Sequence, residues 1–266
     1  MNSTAQRSEV RTGIGEISVY TKKNASGKVP LVFLHGIYFD HHLWDKLVEE
    51  IKDRTIISID MPLHGASREN IRPDWTLDDC ANMLIGILDS LQIPKVIAVG
   101  HSWGSMTILR AAHKHPERFE SIGLCNMSFK AATRKQKAAY GLQHSMLGLR
   151  KFYTNQSAKT LFGKTSIKED PSLIDELRRP MGVLSSRQIR QIDKAVMMDA
   201  DDASCLIETL NVKAIALRGE EDFVPTPPKI ETIIVKGGHV SPLERPLEVS
   251  NMIGRLLCQD QREPQQ

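Results

Sequence analysis

Apolar residues follow two rhythms along the chain, and the switches between them predict the elements. Ile17-Ser18-Val19-Tyr20 alternates apolar and polar as an edge strand does, and Asn24-Ala25-Ser26-Gly27 marks a turn, together a short hairpin-like opening. Val29-Pro30-Leu31-Val32-Phe33-Leu34 is near-continuously apolar up to His35-Gly36, as in a strand buried on both faces. Leu43, Trp44, Leu47, Val48 and Ile51 recur at helical spacing, and residues 55–59 read as another buried strand closing at Asp60. Thr76 precedes a stripe of Leu77, Cys80, Ala81, Leu84, Leu88 and Leu91, with Asp79 placed as a capping-box partner.

Farther on, Val96-Ile97-Ala98-Val99 reads as a strand, the run from Ser105 to His115 as a helix, and Ser121-Ile122-Gly123-Leu124-Cys125 as a strand. This alternation demands a mostly parallel α/β sheet flanked by helices. From about Phe129 to Cys205 only helical spacing is found, as at Ile189, Ile192 and Val196, which predicts a helical cap inserted between two late strands. Ala214-Ile215-Ala216-Leu217 resumes the sheet, and Thr232-Ile233-Ile234-Val235 is its last strand. Pro246 opens a closing helix through Val249, Met252, Ile253, Leu256 and Leu257, and the polar tail 259–266 is expected to fray. The division is a core of 1–128 and 206–266 around a cap of 129–205.

Composition changes this picture little. The chain has 266 residues, 41% of them hydrophobic and 25% charged, enough for one sizeable domain with an insertion. A net charge of +3 without basic blocks interleaved with aromatics gives no nucleic-acid signature. Cys80, Cys125, Cys205 and Cys258 lack metal or disulfide spacing and read as reduced, mostly buried thiols. No cofactor is called for. The first residues, Met1 to Arg7, lead into polar sequence without an apolar signal core, and no stretch reaches the ~20 apolar residues of a membrane span, so a cytoplasmic protein is expected.

Chemistry enters at Gly100-His101-Ser102-Trp103-Gly104, where a predicted strand meets a predicted helix. A serine on so sharp a turn is held clear of the sheet, small residues two positions away let strand and helix approach, and the next amide points toward a developing oxyanion.

Several motifs, in order, resemble those of the α/β-hydrolase family. They cover nearly everything outside the cap and tail. His35-Gly36 resembles the family's oxyanion-loop motif, and Asp60-Met61-Pro62-Leu63-His64-Gly65-Ala66-Ser67 its Asp-x-x-Gly-x-Gly-x-Ser loop, with His64 where glycine is usual. Pro116-Glu117-Arg118 is similar to the ending of the helix after the serine, and Gly219-Glu220-Glu221-Asp222 and Gly237-Gly238-His239 resemble the acid and histidine loops. The resemblance implies a Ser102, Asp222, His239 triad, with the Ile37 and Trp103 amides as oxyanion donors. It also implies a serine hydrolase of a small ester-like carbonyl substrate. A thioesterase, a lactonase, a C–C bond hydrolase and a non-catalytic binding protein on the same fold are the alternatives.

Glu221 is a neighbour that could replace Asp222, whereas Asn126, Met127 and Ser128 offer no carboxylate at the other place relatives use. His35, Gly36, His64 and His101 are candidates for the pocket, though loop context favours a structural role for His64. Asp222 and His239 are 17 residues apart, and the proline-rich stretch 223–229 leaves no room for the usual crossover helix. Either that connection skirts the sheet in extended form or the last strand is displaced.

Between Lys130 and Ala200 there are 14 Lys/Arg against 6 Asp/Glu, a balance of +8. Solvated helix faces account for this; the sharper expectation is a positive rim that attracts anionic substrates above an apolar wall of Met146, Leu147, Leu149, Phe152 and Tyr153.

Overall fold

A computed structural model describes residues 5–258. The predicted tail at 259–266 and the first four residues lie outside them. Eight strands form one sheet: β1 (Gln6–Arg11), β2 (Glu16–Lys22), β3 (Leu31–Leu34), β4 (Ile56–Ile59), β5 (Val96–His101), β6 (Phe119–Cys125), β7 (Lys213–Gly219) and β8 (Glu231–Val235). Their order is β1-β2-β4-β3-β5-β6-β7-β8. β1 and β2 pair antiparallel with each other, β2 pairs antiparallel with β4, and all other pairs are parallel. The central strands are buried along their whole length, which is why they read as unbroken apolar runs.

Two expectations at the start of the chain are corrected. The hairpin turn lies at Thr12 to Gly15, where Thr12 Oγ1 donates to the Gly15 carbonyl at 2.8 Å, and not at Asn24 to Gly27. The strand through Ile17 is therefore not an edge, because β1 lies outside it. β1 buries only Val10, so its side chains carry no alternation, and the ladder to β2 with that one apolar anchor holds it.

The core helices are α1 (Asp45–Glu50), α2 (Leu77–Ser90) and α3 (Trp103–Lys114). α2 starts at the expected capping box: Thr76 Oγ1 accepts from the Asp79 amide at 3.2 Å, and Asp79 accepts from the Thr76 amide at 2.9 Å. Between β6 and β7 the chain runs through α4 (Arg134–Ser145), α5 (Arg150–Leu161), α6 (Lys164–Glu169), α7 (Leu173–Gly182), α8 (Ser186–Asp193) and α9 (Ser204–Glu208). Among the described residues this insertion holds no strand. α10 (Ser241–Glu244) and α11 (Pro246–Leu257) close the fold. The β7–β8 connection takes the extended route: the strands pair in parallel from Ile215↔Glu231 to Gly219↔Val235 with no helix between. All four cysteines are free; Cys80 and Cys125 are buried, but Cys205 and Cys258 are exposed, so only half match the expected burial.

Candidate active site

β5 ends in the sharp turn the sequence predicts. Ser102 has φ 49° and ψ −111°, a left-handed conformation that costs a non-glycine residue strain and recurs where function fixes the backbone. Neighbouring backbone anchors hold it: its amide donates to the Cys125 carbonyl at 2.8 Å, and its own carbonyl accepts from the Met106 amide at 3.0 Å. The flanking glycines are there for close approach. A Cβ on Gly104 would lie 2.1 Å from the Leu34 carbonyl oxygen, and one on Gly100 2.4 Å from the Ser105 nitrogen.

Loops after β7 and β8 bring two more side chains to this serine. His239 Nε2 lies 2.9 Å from Ser102 Oγ, and His239 Nδ1 lies 2.8 Å from Asp222 Oδ1. All three residues are buried. Burial alone raises the Asp222 pKa, but His239, the Asn126 amide and the Val224 amide outweigh it and hold the carboxyl below its usual range. An ionised Asp222 fixes the proton on Nδ1, leaving Nε2 to accept from the serine. Glu221, the rival acid, points elsewhere: it accepts from the Lys164 and Thr165 amides at 2.9 and 3.3 Å.

Three supporting residues were not legible. At Asn126 the sequence shows only a position without a carboxylate. Its Nδ2 donates to the second oxygen of Asp222 at 2.8 Å and to the Gly238 carbonyl at 3.1 Å. Buried Glu244 accepts from the amides of Gly163, Gly238 and Val240 at 2.8–2.9 Å, joining the insertion to the histidine loop. Its loss would leave three buried donors unpaired, at about 1–3 kcal/mol each. Tyr38 is the third, described with the pocket below.

The other histidine candidates lie beneath the site. His35 donates from Nδ1 to the Gly36 carbonyl at 2.7 Å and accepts at Nε2 from the Met61 amide at 2.8 Å. His64 donates to the Pro62 carbonyl and accepts from the Tyr38 amide, both at 2.9 Å. His101 donates to the His239 carbonyl at 2.7 Å. Burial, the largest cause in each, lowers their pKa to about 3, 4 and 3, so all three stay neutral. None of them, nor Gly36, lines the pocket. Their packing fixes loops.

That pocket, about 320 Å³, lies between the insertion and the loops that carry Ile37 and Phe223. Ile37 follows Gly36, which packs against Ser102, and the Phe223 ring stacks on the His239 imidazole at 4.5 Å. The pocket thus adjoins the triad, and Phe223 covers the histidine. Of the expected apolar wall, Met146, Phe152 and Tyr153 line it. Leu147 is buried away from it, and Leu149 is exposed outside it. The expected positive rim is absent from it, since no lysine or arginine lines it. Its one ionisable carboxylate is Asp193, 1% exposed. Asp193 accepts from Tyr38 Oη at 2.5 Å, His144 Nε2 at 2.8 Å and Tyr153 Oη at 3.3 Å.

A family model described as alpha/beta hydrolase fold matches residues 29–176. The uncharacterized hydrolase YugF of Bacillus subtilis is 27% identical over 249 residues, covering 85% of this chain and 89% of that protein. The 3-oxoadipate enol-lactonase 2 of Acinetobacter baylyi is 21% identical over 85% of this chain and 88% of its own length. Among solved structures, a thermophilic esterase from Thermogutta terrifontis with malate bound superposes with a TM-score of 0.81. It is 22% identical and covers 96% of this chain and 99% of that one.

Proposed function

Because the chain belongs to the alpha/beta hydrolase fold family, we propose that it is a serine hydrolase acting on a small ester-like carbonyl substrate, with residues 129–205 as its cap. The observation that carries this reading is the unbroken line Asp222–His239–Ser102, at 2.8 and 2.9 Å. Ser102 is a weak nucleophile until His239 takes its proton as the oxygen attacks the carbonyl. Asp222 holds the imidazole tautomer and stabilises the imidazolium. The Ile37 and Trp103 amides receive the oxyanion; each such donor is worth roughly 3 kcal/mol of barrier. Trp103 opens α3, so its amide has no carbonyl partner within that helix. His239 then protonates the leaving group, and a water activated by the same histidine cleaves the acyl-enzyme.

The same machinery opens a lactone, and the enol-lactonase among the relatives gives that reading its support. A fluorophosphonate probe tests the nucleophile. Labelling of Ser102 that Ser102→Ala abolishes is expected; labelling that survives the substitution removes the assignment.

A further inference from the structure

We infer, building on the hydrolase reading, that the pocket selects uncharged substrates carrying a hydrogen-bond donor and rejects carboxylates, with Asp193 as the residue that imposes the choice. Its carboxylate sits at the C-terminal end of α8 in the pocket wall, and its three donors come from three different elements: Tyr38 from the loop after β3, His144 from α4 and Tyr153 from α5. A phenol has one proton to give. The Tyr38 and Tyr153 oxygens lie 3.3 Å apart, and both protons are spent inside this cluster, on Asp193 or on each other. What both oxygens can still offer a ligand is lone pairs. A hydroxyl or amide N–H therefore finds acceptors at this corner, whereas a carboxylate meets acceptors and a buried negative charge.

No cation in the wall offsets that charge. His144 gives its Nε2 proton to Asp193 and is not part of the lining. An adjoining cavity of about 290 Å³ holds Lys130, but its ammonium is engaged by Ser204 Oγ at 2.7 Å and Asp202 at 3.4 Å. Tyr140, in both cavities, is pushed up to about 12 by burial and then by Asp193, so it too stays a neutral phenol. Gln143 and Gln156 can turn either end of their amides to a ligand. Gln136 is exposed and its Oε1 already accepts from the Thr133 amide and hydroxyl at 2.8 and 2.9 Å, so discrimination falls to the buried Asp193 corner.

The test compares p-nitrophenyl hexanoate with its ω-hydroxy and ω-carboxylate analogues, and repeats the series with the variation on the alcohol side. In the series whose varied end enters the pocket, kcat/KM for the carboxylate is expected at least tenfold below that for the hydroxy ester. Asp193→Asn should shrink this ratio at least threefold, and a ratio within one variant cancels any common loss of positioning. Tyr153→Phe, a milder change, should lower the preference for the hydroxy over the unsubstituted ester. Carboxylate esters turned over as well as hydroxy esters in both series overturn the proposal. Dissociation constants on Ser102→Ala protein give the same ranking without turnover. Retained ranking with no fluorophosphonate labelling removes the hydrolase reading alone, and a lost ranking with normal labelling removes the selectivity alone.

Discussion

Two carboxylate–histidine pairs lie near one pocket, both at 2.8 Å: buried Asp222–His239 behind Phe223 on the sheet side, and, in the inserted helices, Asp193 in the pocket wall with the partly buried His144 outside the lining. Their difference lies in what surrounds the pair. His239 turns its second nitrogen to Ser102, held in strained backbone at 2.9 Å, so a proton can move along the line. Among the described residues no hydroxyl is hydrogen-bonded to the His144 ring. Asp193 instead gathers two phenols, and these three side chains form a polar stretch of the pocket wall with His144 behind it. On the reading proposed above, the same two kinds of side chain serve chemistry on one side and recognition on the other.

The largest effect should come from neutralising each acid in turn. Asp222→Asn is expected to lower kcat by about 10⁴ through the wrong imidazole tautomer, while Glu221→Gln leaves the chemical step unchanged, since the partners of Glu221 are the Thr165 hydroxyl and the Lys164 and Thr165 amides of the insertion. Steady-state kinetics check this. A loss from Asp193→Asn as large as that from Asp222→Asn would erase the distinction between the pairs.

The sheet side was legible because its chemistry is written locally. Strand, tight turn and helix at residues 96–115 leave a signature in adjacent residues, as do Asp222 and His239 in the loops after two strands. The other side is written in contacts between residues far apart in the chain, such as Tyr38 with Asp193. Helical spacing in α8 gives a buried face at Ile189 and Ile192, but it does not say which phenols stand opposite Asp193. Asn126 and Glu244 stayed hidden for the same reason, since Asn126 meets the Asp222 carboxylate and the Gly238 carbonyl, and Glu244 the Gly163 amide, all far away along the chain. β1 failed differently: with Val10 alone buried, its ladder leaves no mark in the side chains.

A second contrast concerns protons. On the sheet side His35, His64 and His101 fold as neutral rings with pKa values of about 3, 4 and 3, against 6.5 unfolded. Below pH 6.5 the unfolded chain binds more protons, so this stability is whole above about 6.5 and is lost as pH falls toward the folded values. Each ring contributes about 1.4 kcal/mol of loss per pH unit in that window. Urea midpoints at pH 7.5, 6 and 5 should fall steeply below 6.5, and His64→Gln should flatten the fall by about a third. Midpoints that stay level to pH 5 would show that these rings fold charged.

The two sides also meet at one residue. Tyr38 has φ 65°, follows Ile37, gives its amide to His64 and its hydroxyl to Asp193. Removing the hydroxyl frees the loop that carries the proposed oxyanion donor. With an unsubstituted ester, which has no donor for the Tyr38 oxygen to accept from, Tyr38→Phe is expected to cost about tenfold in kcat with little change in KM, because small misplacements of a donor act on the transition state. A change in KM alone, even for the unsubstituted ester, would mean that Tyr38 acts only through the pocket wall it lines, and would uncouple the two sides.

The smallest effect should be that of salt, and it separates surface charge from pocket charge. Of the 14 lysines and arginines between Lys130 and Ala200, all but Lys137 and Arg150 are exposed, and none lines the 320 Å³ pocket. Several are already paired: Arg178 with Asp175, Arg179 with Glu176 at 3.5 Å, and Lys194 with Asp199 at 2.5 Å. Their field reaches a substrate through solvent, where it decays over ~10 Å at 0.1 M salt. The Asp193 charge acts from within the wall, where salt screens little. Raising salt should therefore change kcat/KM for carboxylate and neutral esters alike, within about twofold, and leave the carboxylate penalty in place. A penalty that grows severalfold as salt rises would mean that the exposed cations draw anionic substrates after all, and that the balance of +8 outweighs the single buried carboxylate.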